Sequence, residues 1–221
     1  SGNQEYAMIT GKVTITPGTK LEKGKKDGSS YDGEYDAANK ITVLQFVHES
    51  TTPTTNISVS GAIKSYNPNN ATTIQLMQGS MEKYKTTIDP ASGSSQMAQD
   101  FTFDAVAKGT YDLVVTKPGH LTYTVKGIAV EDTAIDLTAM EGKPYQTITL
   151  LCGDINGDGW INSTDLGVVL QGQNYGKQTT VAGVNEKADL NGDGWVNSTD
   201  LGIVLQGQHY GKSAVSVNFG E

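Results

Sequence analysis

The chain has 221 residues and 36% hydrophobic content, enough for packed cores in one or two ordinary domains plus a small module. Its formal net charge of −8 argues against a nucleic-acid or anionic-membrane partner, and no run of about 18 apolar residues offers a membrane span. A single cysteine, Cys152, excludes an internal disulfide; set beside Leu150 and Leu151, it reads as a buried inert thiol.

The opening SGNQEYAM has no signal-peptide pattern and reads as a start inside a longer protein. Ala7 to Thr16 and Lys40 to His48 alternate like strands around a polar stretch, Pro17 to Asn39. Two strands bury no core alone, so residues 1–57 read as a β extension or the tail of a preceding β domain, with linker composition at Ser50 to Asn56.

From 58 to about 150, short β-type runs alternate with turn residues and no helix is convincing. Strands are expected at Ser58 to Ser65, Thr72 to Met77, Lys83 to Asp89, Phe101 to Ala105, Tyr111 to Lys117, Leu121 to Val130, Ala134 to Leu137 and Gln146 to Leu151. Their spacing fits an antiparallel sandwich, with turns at Asn67-Pro68-Asn69-Asn70 and Lys117-Pro118-Gly119. The histidines at 48, 120 and 209 are scattered, with His120 read as a solvated turn residue. No nucleophile–base pair, phosphate loop or zinc spacing is written, so no catalytic residue is assigned and the chain is not expected to be an enzyme. Lys64 and Asp136, read as lying in the first and last strands, are the pair to consider for an isopeptide cross-link.

The C-terminal part, 151–221, carries one motif twice. DINGDGWINSTDLGVVLQGQNYGK (154–177) returns as DLNGDGWVNSTDLGIVLQGQHYGK (189–212), and only four of the 24 aligned positions differ. Asp154, Asn156, Asp158, Asn162 and Asp165 stand at positions 1, 3, 5, 9 and 12 of a loop; Asp189, Asn191, Asp193, Asn197 and Asp200 repeat the ladder. Calcium takes about 6–8 oxygen ligands, and a 12-residue loop supplies them from those side chains and a position-7 carbonyl, here Trp160 or Trp195. Gly159 and Gly194 fill position 6, where the chain turns sharply. Two Ca2+ ions are therefore expected, with Mg2+ or an altered loop geometry as the alternatives the sequence leaves open. Position 12 is Asp where the EF-hand pattern has Glu, and Ile161 and Val196 at position 8 are placed to pair across the loops.

Each loop runs into a helix, with Ser163 and Thr164 as expected N-caps and Gly176 and Gly211 as expected stops. At 100° per residue Leu166, Val169 and Leu170, repeated as Leu201, Val204 and Leu205, form the stripe expected to pack the helices together. Thr164, Val168, Gln171 and Tyr175, repeated as Thr199, Ile203, Gln206 and Tyr210, fall on nearly the opposite side and are expected to face a protein partner.

Two calcium loops, each followed by one helix, resemble the dockerin module of cellulosomal proteins over about 152–212. The resemblance implies calcium-dependent binding to a cohesin module of a scaffoldin. Carried over residue by residue, it assigns recognition to loop positions 10 and 11, Ser163 and Thr164 with Ser198 and Thr199. Where many such dockerins carry Lys or Arg further along the helix, this sequence has Gln171, Gly172, Gln206 and Gly207. The run at 101–123 resembles carboxypeptidase-regulatory-like domains and the X module that often precedes a dockerin. Together these imply a mainly β fold, an X-module-like sandwich at 58–150, joined through Cys152 and Gly153 to a small all-α dockerin. They also imply a secreted, cell-surface-associated cellulosome of an anaerobic bacterium. Plant polysaccharide would be reached through other modules of the parent protein. The alternative reading is a carbohydrate-binding β protein merely tethered by the dockerin.

Overall fold

The computed structural model describes residues 57–221 throughout and, before them, four short strand segments. The chain falls into two compact units, Ser1–Thr54 and Thr55–Glu221. In the first unit β1 (Thr19–Glu22) pairs antiparallel with β4 (Gln45–His48), and β2 (Lys25–Lys26) pairs with β3 (Ser29–Ser30). Strand β1 lies inside the stretch expected to be a polar loop, while β4 falls within the expected Lys40 to His48 strand. The expected strand at Ala7 to Thr16 and the linker at Ser50 to Asn56 lie outside the described residues.

The second unit begins with β5 (Ile57–Ser65), whose alternation is read directly into space: Ile57, Val59 and Ile63 are buried while Lys64 is exposed. Next come β6 (Thr72–Gln78), β7 (Met81–Ile88), β8 (Met97–Val106), β9 (Gly109–Thr116), the short β10 (Gly119–His120) and β11 (Tyr123–Val130). A register shift between Val125 and Ile128 changes the inward phase of β11, so Tyr123 and Val125 are buried before it and Ile128 and Val130 after it. Short strands β12 (Ile135–Asp136), β13 (Ile148–Thr149) and β14 (Cys152–Asp154) lead into the C-terminal module. Beyond them lie α1 (Ser163–Leu170), β15 (Lys177–Gln178), β16 (Trp195–Val196), α2 (Ser198–Val204) and β17 (Val215–Asn218).

Two sheets make the sandwich. One has the order β17-β11-β9-β6-β7; in the other, β5 carries β8 on one side and β12 and β13 on the other. The core between them joins Ile63, Phe101 and Leu137 to Leu76, Leu113 and Val125. The expected purely antiparallel arrangement gives way to a mixed one: β12 and β13 run parallel to β5, and β17 runs parallel to β11. Asp136 sits opposite Ser60, four residues along β5 from Lys64, a separation of about 13 Å that rules out the isopeptide pair.

A second hydrophobic cluster holds the C-terminal module. Ile155, Ile161, Val169, Leu190, Val196, Ile203 and Val204 are buried there together with Cys152 and with Leu121 from the sandwich. The buried thiol is held above its ordinary pKa, chiefly by burial and further by Asp200, and its Sγ lies 3.9 Å from the Leu190 carbonyl. The module is also tied in at both ends: β10 pairs with β14, and after α2 the chain returns to the edge of the larger sheet as β17.

Candidate metal loops and docking faces

Each loop is built from side-chain oxygens that accept main-chain N–H groups a few residues ahead. The Asp154 carboxylate accepts from Gly157 at 2.9 Å and from Gly159 at 3.1 Å; Asn156 Oδ1 accepts from Asp158, and Asp158 Oδ1 from Trp160, both at 2.9 Å. In the second copy Asp189 accepts from Gly192 and Gly194 at 2.9 Å, Asn191 from Asp193 at 3.0 Å, and Asp193 from Trp195 at 2.9 Å. Gly159 and Gly194 turn with φ of +83° and +88°, the left-handed conformation that position 6 requires.

The position-12 carboxylates close the loops. Asp165 Oδ1 accepts from Ile155 at 2.8 Å and Oδ2 from Asn162 at 2.9 Å, while Asp200 does the same with Leu190 and Asn197, both at 2.8 Å. Asn162 and Asn197 in turn accept from Thr164 and Thr199, forming reciprocal capping boxes. The helices are therefore capped by Asn162 and Asn197, one residue before the expected Ser163, because only the position-9 amide faces the free N–H groups.

Among the described residues no three His, Cys, Asp or Glu side chains meet at one point. Each loop instead mixes three carboxylates with two amide oxygens and a main-chain carbonyl, a donor set of hard oxygens. Burial, together with neighbouring carboxylates, holds Asp154, Asp189 and Asp200 above the usual carboxylate range, against the pull of the main-chain N–H groups. Oxygen-only donors on crowded, partly buried carboxylates fit a divalent hard cation, whose charge would relieve that crowding. The residues that would hold it are Asp154, Asn156, Asp158, Asn162 and Asp165 with the Trp160 carbonyl, and Asp189, Asn191, Asp193, Asn197 and Asp200 with the Trp195 carbonyl.

The position-8 residues do not pair with each other in the way expected. Ile161 exchanges main-chain hydrogen bonds with Lys212 and Gly211, at 2.9 and 2.8 Å, while Val196 accepts from Gly176 at 2.8 Å. Each loop thus laces to the segment that follows the other copy's helix. Both side chains are fully buried in the shared cluster.

The helices end sooner than the spacing suggests, at Leu170 and Val204, well before Gly176 and Gly211. Gln171 leaves the helix with ψ of 135°, so its own place and that of Tyr175 cannot be projected on a helical wheel. Three corrections to the two stripes follow. Leu170 and Leu205, expected between the helices, are each 51% exposed; Ile203, expected outward, is buried at 3%; Val168 is half-buried in the same cluster. Ser163, Thr164, Gln171 and Tyr175 are exposed, as are Ser198, Thr199 and Tyr210, while Gln206 is half-buried.

His120 is buried, contrary to the expectation of a solvated turn. Its ring sits where the sandwich meets the C-terminal module, accepting the Tyr66 N–H at 3.2 Å through Nε2. Around it lie contacts that no local pattern announced. Gln206 donates to the Tyr66 hydroxyl at 3.2 Å, the Tyr66 and His209 rings meet edge to face at 6.0 Å, and Lys117 donates to Ser65 at 3.0 Å. A cleft of about 540 Å³ runs along this joint, lined by Tyr66, Ser95 and Gln96 on the sandwich side and by Ser198, Thr199 and Gln206 on the other.

Residues 152–206 match the dockerin type I domain family, and that stretch is a dockerin domain. No curated protein matches the chain. Among solved structures, an N-terminal interface mutant and a C-terminal interface mutant of a type II cohesin–X–dockerin complex from Acetivibrio cellulolyticus are similar. Each shares 24% identity at a TM-score of 0.53, covering 72% of this chain and 97% of theirs. The likeness is one of fold: a mainly β domain of X-module type followed by a dockerin.

Proposed function

We propose that this chain is a non-catalytic assembly module: an X-like sandwich over 58–150 supports a calcium-loaded dockerin over 151–221, which docks onto a cohesin of a scaffoldin. The single observation that carries this reading is the duplicated loop, in which a position-9 amide caps a helix whose first turn presents an exposed Ser-Thr pair. Two Ca2+ ions would fix the two loops and hence the helix starts, so that metal binding contributes folding free energy. The exposed Ser163 and Thr164, with Gln171 and Tyr175, form one face; Ser198 and Thr199, with Gln206 and Tyr210, form its counterpart. Because the faces are near copies in sequence, the cohesin can be met in two orientations related by about 180°. The module acts outside the cell, and plant polysaccharide is reached through other parts of the parent protein.

The test is a titration against a panel of cohesins with and without chelator. Binding to at least one cohesin that disappears on chelation is expected; binding unaffected by chelator overturns the calcium step. Replacing Ser163 and Thr164 alone should leave much of the affinity, while replacing both pairs should abolish it. Complete loss from the single-pair variant would remove the second orientation.

A further inference from the structure

The two loops share a sequence but not an environment. Three main-chain carbonyls of the second loop are gripped by the sandwich: Asn67 Nδ2 donates to Asp189 O at 2.9 Å, the Ser95 N–H to Asn191 O at 2.8 Å, and Asn69 Nδ2 to Gly192 O at 2.7 Å. In the first loop Asp154 meets only the strand residue Gly119, and among the described residues no hydrogen bond reaches the Asn156 or Gly157 carbonyls from the sandwich. Burial follows the same division: Asn191 is buried at 6%, whereas Asn156 and Gly157 are exposed.

The gripping residues carry strain and an unmet polar atom. Among the described residues the non-glycine positions with positive φ are Asn67, at 50°, and Ser95, at 82°. Both are among the three residues that reach the second loop, and such backbone persists only where its surroundings over-determine it. Asn67 Oδ1 is buried with no hydrogen-bond partner. Flipping the amide would bring that oxygen against the Asp189 carbonyl, so the side chain is fixed by its contact with the loop. A Cβ built on Gly192 would lie 2.5 Å from Asn67 Oδ1 and 2.7 Å from Asn69 Nδ2, while one on the equivalent Gly157 meets nothing within 4 Å.

We propose that the Asn67–Asn69 turn and Ser95 of the sandwich are positioning residues for the second cation loop, so that two loops of nearly one sequence bind Ca2+ with unequal affinity, the second filling first. This rests on the calcium reading above and adds to it which site leads and what makes it lead. A loop already held at three carbonyls loses less conformational freedom when the ion arrives, and that difference appears as affinity.

The experiment follows the main-chain amide signals of Gly159 and Gly194 by NMR while Ca2+ is titrated into the metal-stripped whole chain. Gly194 is expected to respond at about tenfold lower Ca2+ than Gly159, the equivalent of roughly one hydrogen bond's net contribution. Asn69→Ala, at an exposed position that leaves both cores intact, and Asn67→Gly, which keeps the left-handed backbone, should each raise the Gly194 midpoint about three- to tenfold and leave that of Gly159 in place. Coincident midpoints in the unaltered chain, or variants that move both midpoints together, overturn the proposal. Silence at both amides is a different failure, that of the calcium reading itself.

Discussion

Asn174 and His209 occupy the same place in the two repeats and perform the same main-chain task with different chemistry. Asn174 donates its amide to the Val168 carbonyl at 2.7 Å, and the His209 Nδ1 lies 2.9 Å from the Ile203 carbonyl, six residues back in each case. Asn174 is further fixed by the Asn185 N–H, whereas His209 turns its ring edge to Tyr66. The one non-aliphatic difference between the copies is therefore located where the second copy meets the sandwich. His209→Asn should keep the bond to Ile203 and lose the aromatic contact, lowering unfolding stability by about 0.5–1.5 kcal/mol. Urea unfolding checks this; no change would show that the Tyr66 ring contributes nothing there.

Glycine substitutions separate backbone strain from contact. Gly157 and Gly192 share a φ of +77°, so alanine at either meets the same left-handed penalty of about 1–2 kcal/mol. Only at 192 does the new methyl strike the Asn67 and Asn69 side chains. Gly192→Ala should cost roughly 1–3 kcal/mol more than Gly157→Ala. Equal losses in denaturant melts would mean that the turn yields without cost.

Calcium removal should act locally. At a free ion concentration a hundredfold above the dissociation constant, an ion bound as proposed would contribute about 2.7 kcal/mol per loop to stability. Chelation is expected to lower the melting temperature and to speed amide exchange around Ile161, Val169, Val196 and Val204, while Val59, Leu113 and Val125 of the sandwich core keep their protection. Exchange that rises equally in both clusters would contradict this.

Acid should loosen the joint through His120. Its Nε2 accepts the Tyr66 N–H and its Nδ1 faces the Pro118 carbonyl at 2.9 Å, so the neutral ring carries its proton on Nδ1. Burial, then the charges of Lys117 and His209, push its pKa down to about 3 against the pull of Pro118. Between about 6.5 and about 3 the unfolded chain takes up a proton that the folded chain refuses. The stability is therefore present above about pH 6.5 and is lost as pH falls, at up to about 1.4 kcal/mol per pH unit. With calcium saturating, the unaltered chain should lose more stability from about pH 7 to about pH 5 than His120→Gln, which has nothing to titrate. Parallel pH profiles would refute the assignment.

The strands were legible because period-two alternation is a local property: Ile57, Val59 and Ile63, or Tyr111, Leu113 and Val115, announce their own inward face. The turns of the two duplicated loops were legible for a similar reason, since Asp154, Asn156 and Asp158, with Asp189, Asn191 and Asp193, each accept a main-chain N–H within five residues. The helix faces were not. Projecting Tyr175 eleven residues from Thr164 assumes a helix that ends at Leu170, and burial of Ile203 is decided by a neighbouring module. Asn67 read as a turn former and no more, because its partner Asp189 is 122 residues away and nothing near Asn67 encodes that meeting.

Strand β17 changes how the dockerin is attached. Val215 to Asn218 lie parallel to Tyr123 to Lys126, and the Phe219 N–H donates to the Lys126 carbonyl at 2.8 Å. One repeat is thus tethered to the sandwich through β14 and the other through β17, with the exposed stretch Thr180 to Gly183 between them. A protease that nicks that stretch would cut the polypeptide without releasing either half. The domain is a staple with one leg in the β10–β14 pair and the other at the edge of the five-stranded sheet, and severing its crown leaves each leg seated.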